Sequence, residues 1–243
     1  MKKFFKTPVA PPEYNLDQKV LLGISLWLLL SINFTLNYLT HTYYSENLLE
    51  AHSPGYWLFI LNNLFLAGVL LFVKRSMRWS WRDLGLSRPT RWWQPVVATF
   101  LTFGAILFFA REIQPLIIES FGPHQNISHL YTLQDNLPRL VSVLVTVWIT
   151  GALLEELIFR SFVINTLEDL LGNTPLSTWT AVLISAMIFG GIHAYQGFTG
   201  VLITTGIGLI FGVAYIFNGR RIWPLIFVHG LVDTIMLVSI YKS

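Results

Sequence analysis

Residues 141–163, VSVLVTVWITGALLEELIFRSFV, decide how this chain is to be read. The stretch is long enough to cross a hydrocarbon core, which takes about 20 residues of helix. Yet it carries Glu155 and Glu156 side by side, with Arg160 one helical turn later. An ionisable group at bilayer depth is costly, and it marks a substrate path, a proton path or a catalytic centre. The segment therefore predicts a membrane helix with chemistry inside it.

The rest of the chain agrees. Of 243 residues, 53% are hydrophobic and only 12% charged, too apolar for a soluble domain with an ordinary charged surface. Seven apolar runs have span length: Val20 to Leu39, Tyr56 to Val73, Pro95 to Ile118, Leu140 to Ile164, Ser177 to His193, Gly200 to Phe217 and Ile222 to Ile240. The third is the weakest, because Arg111 and Glu112 interrupt it near its end. The predicted fold class is an all-α polytopic membrane protein, a bundle of about seven transmembrane helices within a range of six to eight. Residues 1–19 read as a cytoplasmic amino-terminal segment, 20–138 as transmembrane helices with connecting loops, and 139–243 as the part that carries the chemistry.

Lysine and arginine give an orientation. Lys2, Lys3, Lys6 and Lys19 precede or open the first run, and Lys74, Arg75, Arg78, Arg82, Arg88 and Arg91 fill the second connection, while residues 40–55 contain neither type. The positive-inside rule then puts the amino terminus and residues 74–93 in the cytoplasm, with Arg220 and Arg221 on the same side. Topology accounts for the basic balance, so nucleic acid is not expected as a partner. The expected partners are the lipid bilayer and a hydrophobic or lipid-modified peptide or protein. With no cysteine in the chain, disulfides, thiolate metal sites and cysteine nucleophiles are excluded. Trp79, Trp81, Trp92 and Trp93 beside the basic loop suit headgroup anchors.

Three constellations concentrate the chemistry in the second half. In the first, Glu156 and Arg160 stand four apart and can pair on one helix face, whereas Glu155 points about 100° away and is left without a local partner. The second is Phe189 and His193, with Gly190 and Gly191 between them; the third is His229 and Asp233, four apart in the last run. Asp233 can share a metal or a water with His229, or orient its imidazole. His41, His52, His124 and His129 fall in predicted loops, where imidazole is solvated and ordinarily idle. In the sixth run, Gly206, Gly208 and Gly212 include a small-xxx-small pair that lets helix backbones approach closely.

Taken together, Glu155 to Arg160 (EELIFR), Phe189 to His193 (FGGIH) and His229 to Asp233 (HGLVD) resemble the three ordered motifs E-E-x-x-x-R, F-x-x-x-H and H-x-x-x-N/D of the CAAX protease and bacteriocin-processing family, also called the Abi family. The resemblance covers about residues 140–241. It implies an intramembrane endopeptidase in which Glu155 activates water and His193 assists it. His229 and Asp233 then bind a metal or stabilise the oxyanion, and Glu156, Arg160 and Phe189 support them. Asp233 stands where many relatives have asparagine, which makes coordination more plausible and oxyanion hydrogen bonding less so. Two mechanisms are open: Zn²⁺ or another divalent metal held by Glu155, His193, His229 and Asp233, or a metal-free reaction on glutamate-activated water.

The alternatives are a noncatalytic immunity or scaffold protein that binds a hydrophobic peptide and, behind it, a proton-coupled transporter. H-E-x-x-H, G-x-G-D and G-x-S-G motifs are absent, so other intramembrane protease types fit worse. Counting along the runs puts His193 near the outer end of its helix and Glu155 far from it. One site requires either a long fourth helix with a dipping Asn173-Thr174-Pro175 turn or a short, displaced fifth.

Overall fold

A computed structural model describes residues 14–44, 53–89, 91–124 and 128–243. Among these, seven helices are long and apolar enough to cross a membrane. They are α1 (Leu16–Tyr44), α2 (Pro54–Ser76), α3 (Trp93–Phe121), α4 (Leu137–Leu170), α5 (Pro175–Ile192), α6 (Gly197–Phe217) and α7 (Trp223–Lys242). Lys2, Lys3, Lys6 and His52 lie outside the described residues.

Local sequence sets the helix ends. Ser53 caps α2 through its side chain, and Thr174 and Ser177 form a reciprocal capping box at the start of α5, each with proline in the first turn. Outward faces are apolar, with Trp27, Leu64, Phe100 and Leu101 exposed, as lipid contact requires. The buried core joins Leu22, Leu29 and Leu70 of the first two helices to Ile158, Phe162, Val182, Phe211, Tyr215 and Leu225.

Two spans depart from α geometry. The third is continuous through Arg111 and Glu112, which pair at 3.2 Å on its exposed face within a π-helical turn, Phe109–Ile113. The expected weak point is thus a single long helix. In α4 the π register runs from Trp148 to Val163, and the Ile164 N–H bonds to the Phe159 carbonyl five residues back. π segments are rare and favour functional sites. The wider turn makes successive side chains diverge by less than the 100° expected of Glu155 and Glu156.

The small-residue reading of α6 holds. A Cβ at Gly208 would stand 3.2 Å from the Ala186 Cα, and one at Gly212 would stand 2.9 Å from Val182, so α6 lies directly on α5. Trp81, Trp92 and Trp93 are exposed as anchors should be. Trp79 instead turns inward, its Nε1–H donating to the Tyr14 hydroxyl at 2.8 Å and its ring 6.3 Å from Phe162.

A polar knot at the basic end fixes relative depth. Arg220 Nη2 meets Glu168 Oε2 at 2.6 Å and its Nη1 donates to Asn165 Oδ1 at 2.6 Å; the Thr178 hydroxyl donates to Glu168. Beside it the Ile222 N–H donates to the Gly85 carbonyl, and Gly85 has φ +78°, where an added Cβ would meet the Arg220 carbonyl at 2.7 Å. From this knot the long fourth helix, 34 residues, carries Glu156 far enough for contacts to join the three motifs: Glu156 meets His229 of α7, and Arg160 lies against Phe189 of α5.

Candidate active site

Glu156 is the hub. Its Oε1 accepts from His229 Nδ1 at 2.8 Å and lies 3.2 Å from Arg160 Nη1, with Glu156 and Arg160 both buried. The Arg160 approach is an ion pair without hydrogen-bond alignment. Both its terminal nitrogens and Glu156 Oε2 have no hydrogen-bond partner among the described residues. Aromatic faces receive the guanidinium instead: its Cζ stands 4.5 Å from the centroid of Phe189 and 5.0 Å from that of Phe211. An uncompensated buried charge is costly, so pairing with Glu156 and the two rings is what permits Arg160 at this depth.

Phe189 carries the network to the second motif. Its ring is 4.9 Å from that of His193, and its carbonyl bonds His193 Nδ1 at 2.8 Å. A carbonyl only accepts, so Nδ1 carries the proton and Nε2 of the neutral ring presents a lone pair. At the third motif, His229 Nε2 lies 3.5 Å from Asp233 Oδ2. His193, Phe189, Arg160, Glu156, His229 and Asp233 form one chain of contacts drawn from three helices. His229 is oriented by Glu156 rather than by Asp233, which sequence spacing alone favoured.

Glu155 differs from its neighbour. It is half-buried, no hydrogen bond or ion pair holds it among the described residues, and it interacts electrostatically with His229, Asp233, Arg160 and Glu156. His193 lies at the edge of the cluster, within electrostatic range of His229 and Arg160.

Among the described residues, no three histidine, aspartate or glutamate side chains gather closely enough to hold a metal ion. His229 Nδ1 and His193 Nδ1 are both engaged, which leaves the two Nε2 atoms as the available donors, and Glu156 faces Arg160.

Sequence reasoning missed two contributors. Gly151 precedes Glu155 by four residues, and a Cβ there would come 3.5 Å from Asp233 Oδ2 and 4.0 Å from His229 Nε2. A glycine one turn from a buried acid was the available signal. His41, expected in a solvated loop, is buried in the last turn of α1. Of the other loop histidines, His124 follows α3 in irregular backbone and His129 falls in the short helix Ser128–Leu133.

An all-helical, multi-pass bundle around a buried acid–histidine cluster defines the class of protein. Residues 137–235 match the family model described as type II CAAX prenyl endopeptidase Rce1-like. The chain is similar to YdiL, a candidate membrane peptidase of Bacillus subtilis strain 168, with 27% identity over 198 residues, 79% of this chain and 74% of YdiL. It is also similar to the membrane-embedded CAAX protease MroQ of Staphylococcus aureus strain USA300, with 25% identity over 142 residues, 57% and 55% of the two chains. No solved structure matches. Over its carboxyl-terminal helices the chain is thus similar to membrane proteases of the CAAX type.

Proposed function

We propose that this protein is an intramembrane endopeptidase that hydrolyses peptide bonds of membrane-associated proteins or peptides with a water activated by Glu155. The reading is carried by one contrast: Glu156 is engaged by Arg160 and His229, while no hydrogen bond or ion pair holds Glu155 beside it among the described residues.

Glu155 takes a proton from water as the water oxygen bonds to the substrate carbonyl carbon. Nε2 of His193, its lone pair set by the Phe189 carbonyl, accepts the second water hydrogen and aims the oxygen. The tetrahedral oxyanion is met by His229 Nε2–H. Because Nδ1–H is donated to Glu156, His229 carries both protons in that role, with Glu156 and Asp233 as counter-charges at its two nitrogens. When the carbon–nitrogen bond breaks, Glu155 returns its proton to the leaving amine. No step is routed through a metal.

Lysine and arginine placement orients the amino terminus and the Glu168–Arg220 end toward the cytoplasm. Residue accessibility to membrane-impermeant reagents tests this.

The function is tested with purified protein and a library of membrane-associated peptides, with metal content measured. Cleavage that survives chelation, and that Glu155→Gln and His229→Ala both remove while still inserting, supports the reading. Undiminished cleavage by Glu155→Gln overturns it. Loss of cleavage on chelation, restored by Zn²⁺, overturns its metal-free form.

A further inference from the structure

His193 is the site histidine that no helix interior holds. It caps α5 at φ −94°, ψ 14°, and the chain then enters the 3-10 turn Ala194–Gln196, ending at Gly197 with φ +77°. Gly190 and Gly191 precede it, so the last turn of α5 offers little side-chain bulk; a Cβ at Gly191 would meet nothing within 4 Å. The place of the imidazole therefore depends on what lies against the turn.

Two helices lie there: α6, where a Cβ at Gly190 would meet the Val201 carbonyl at 2.7 Å, and α1. The His41 ring rests on Tyr195 with centroids 3.5 Å apart and planes within 4°, and His41 is 7% exposed. Tyr195 in turn stands 5.9 Å from the His193 ring, accepts from Gln196 Nε2 at 3.0 Å, and interacts electrostatically with Glu155 and Asp233. The same helix lines, with Leu30, Ser31 and Phe34, a groove of about 490 Å³ whose other wall, Gly191 and Ile192, runs directly into His193. Parallel rings in contact restrict sliding less than rotation, and a buried ring sandwiched against a turn fixes the tilt of that turn.

We propose that His41 is a positioning residue of this site, whose stack on Tyr195 holds the His193 turn in register, so that α1, outside the family-matched residues 137–235, completes the active centre. Its rate measurements rest on the peptidase reading; its spectroscopic one rests only on where His193 sits.

Three variants of the 243-residue chain in detergent, with His193→Asn as a spectral reference, test this. His41→Ala lowers kcat about tenfold with KM within about twofold, the size expected from a small displacement of a reacting group. His41→Phe, which keeps a flat ring, recovers most of the loss. Leu22→Ala, buried in α1 away from the site, lowers the melting temperature without the drop in kcat. In ¹⁵N-imidazole spectra, the His193 resonances, assigned by their absence in His193→Asn, shift in His41→Ala and return in His41→Phe. The proposal fails if His41→Phe behaves as His41→Ala does, if the loss only tracks melting temperature as in Leu22→Ala, or if the His193 resonances do not move. Should no variant and not even the parent cleave any peptide, the peptidase reading falls, and the spectra alone decide the role of His41.

Discussion

The helix α4 carries two adjacent acid pairs, and they have opposite fates. Near the basic end Asp169 is buried, and Glu168 is held in a polar knot: it takes Arg220 and the Thr178 hydroxyl, and Asn165, Tyr215 and Arg220 close the ring. Glu155 and Glu156, deeper in the span, split. Glu156 is held through one oxygen, between Arg160 and His229, while Glu155 has no hydrogen-bond or ion-pair partner among the described residues. Both regions have an arginine within reach, so charge pairing does not distinguish them. The difference is engagement. A carboxylate that protein donors engage braces helices, whereas one that none of the described side chains engages can take a proton from water.

This contrast breaks most sharply at the carboxylates themselves. Glu155→Gln is expected to reduce cleavage by about 10²–10⁴-fold, the range for loss of a positioned general base, with an unchanged melting curve. Glu168→Gln is expected to do the reverse, keeping kcat and lowering stability. Equal kinetic damage from both would erase the distinction drawn here.

Removal of Arg160 comes next. Arg160→Ala leaves Glu156 buried without its cation and Phe189 and Phe211 facing a void, for a loss of about 3–5 kcal/mol in unfolding free energy, read from detergent-based equilibrium unfolding. A change below about 1 kcal/mol would mean that Glu156 is compensated by His229 alone.

A third variant sharpens the picture without touching a charge. Gly151→Ala meets neighbours only at ordinary contact distance, so the fold should be unaltered. The methyl nonetheless occupies the space beside Asp233 and His229 Nε2, and kcat/KM is expected to fall about tenfold. Full activity would place the reacting water elsewhere.

The smallest effect is expected at the knot. Arg220 is partly exposed, 21% at the side chain, so Arg220→Ala should cost about 1 kcal/mol and leave kcat intact, measured by thermal melting with parallel assays. A larger kinetic than thermal effect would show that the depth register set by Glu168 and Thr178 reaches the site.

Much of this was legible in the sequence. Apolar run lengths announced seven spans, because a bilayer imposes a fixed length on each, and the three motifs named Glu155, His193, His229 and Asp233 by residue type and order. Other features were not. The π register of Trp148–Val163 leaves hydropathy unchanged, so no pattern of apolar residues reveals it. His41 looked solvated because the first apolar run ends before it, yet α1 continues to Tyr44 and buries it against a turn some 150 residues later in the chain. Gly151 matters through what it lacks, which shows only when α7 is laid beside it.

The sequence by itself determined the solvent, the number of crossings and the kinds of polar group inside them, because transfer of side chains into hydrocarbon depends on composition and local spacing alone. Only the tertiary structure decided which glutamate is occupied, which imidazole nitrogen is engaged and that the first helix touches the site. Those are matters of a few ångströms between helices, fixed by the contacts of Arg160 with Glu156, Phe189 and Phe211 and by close glycine-mediated packing, and no local pattern along the chain encodes them.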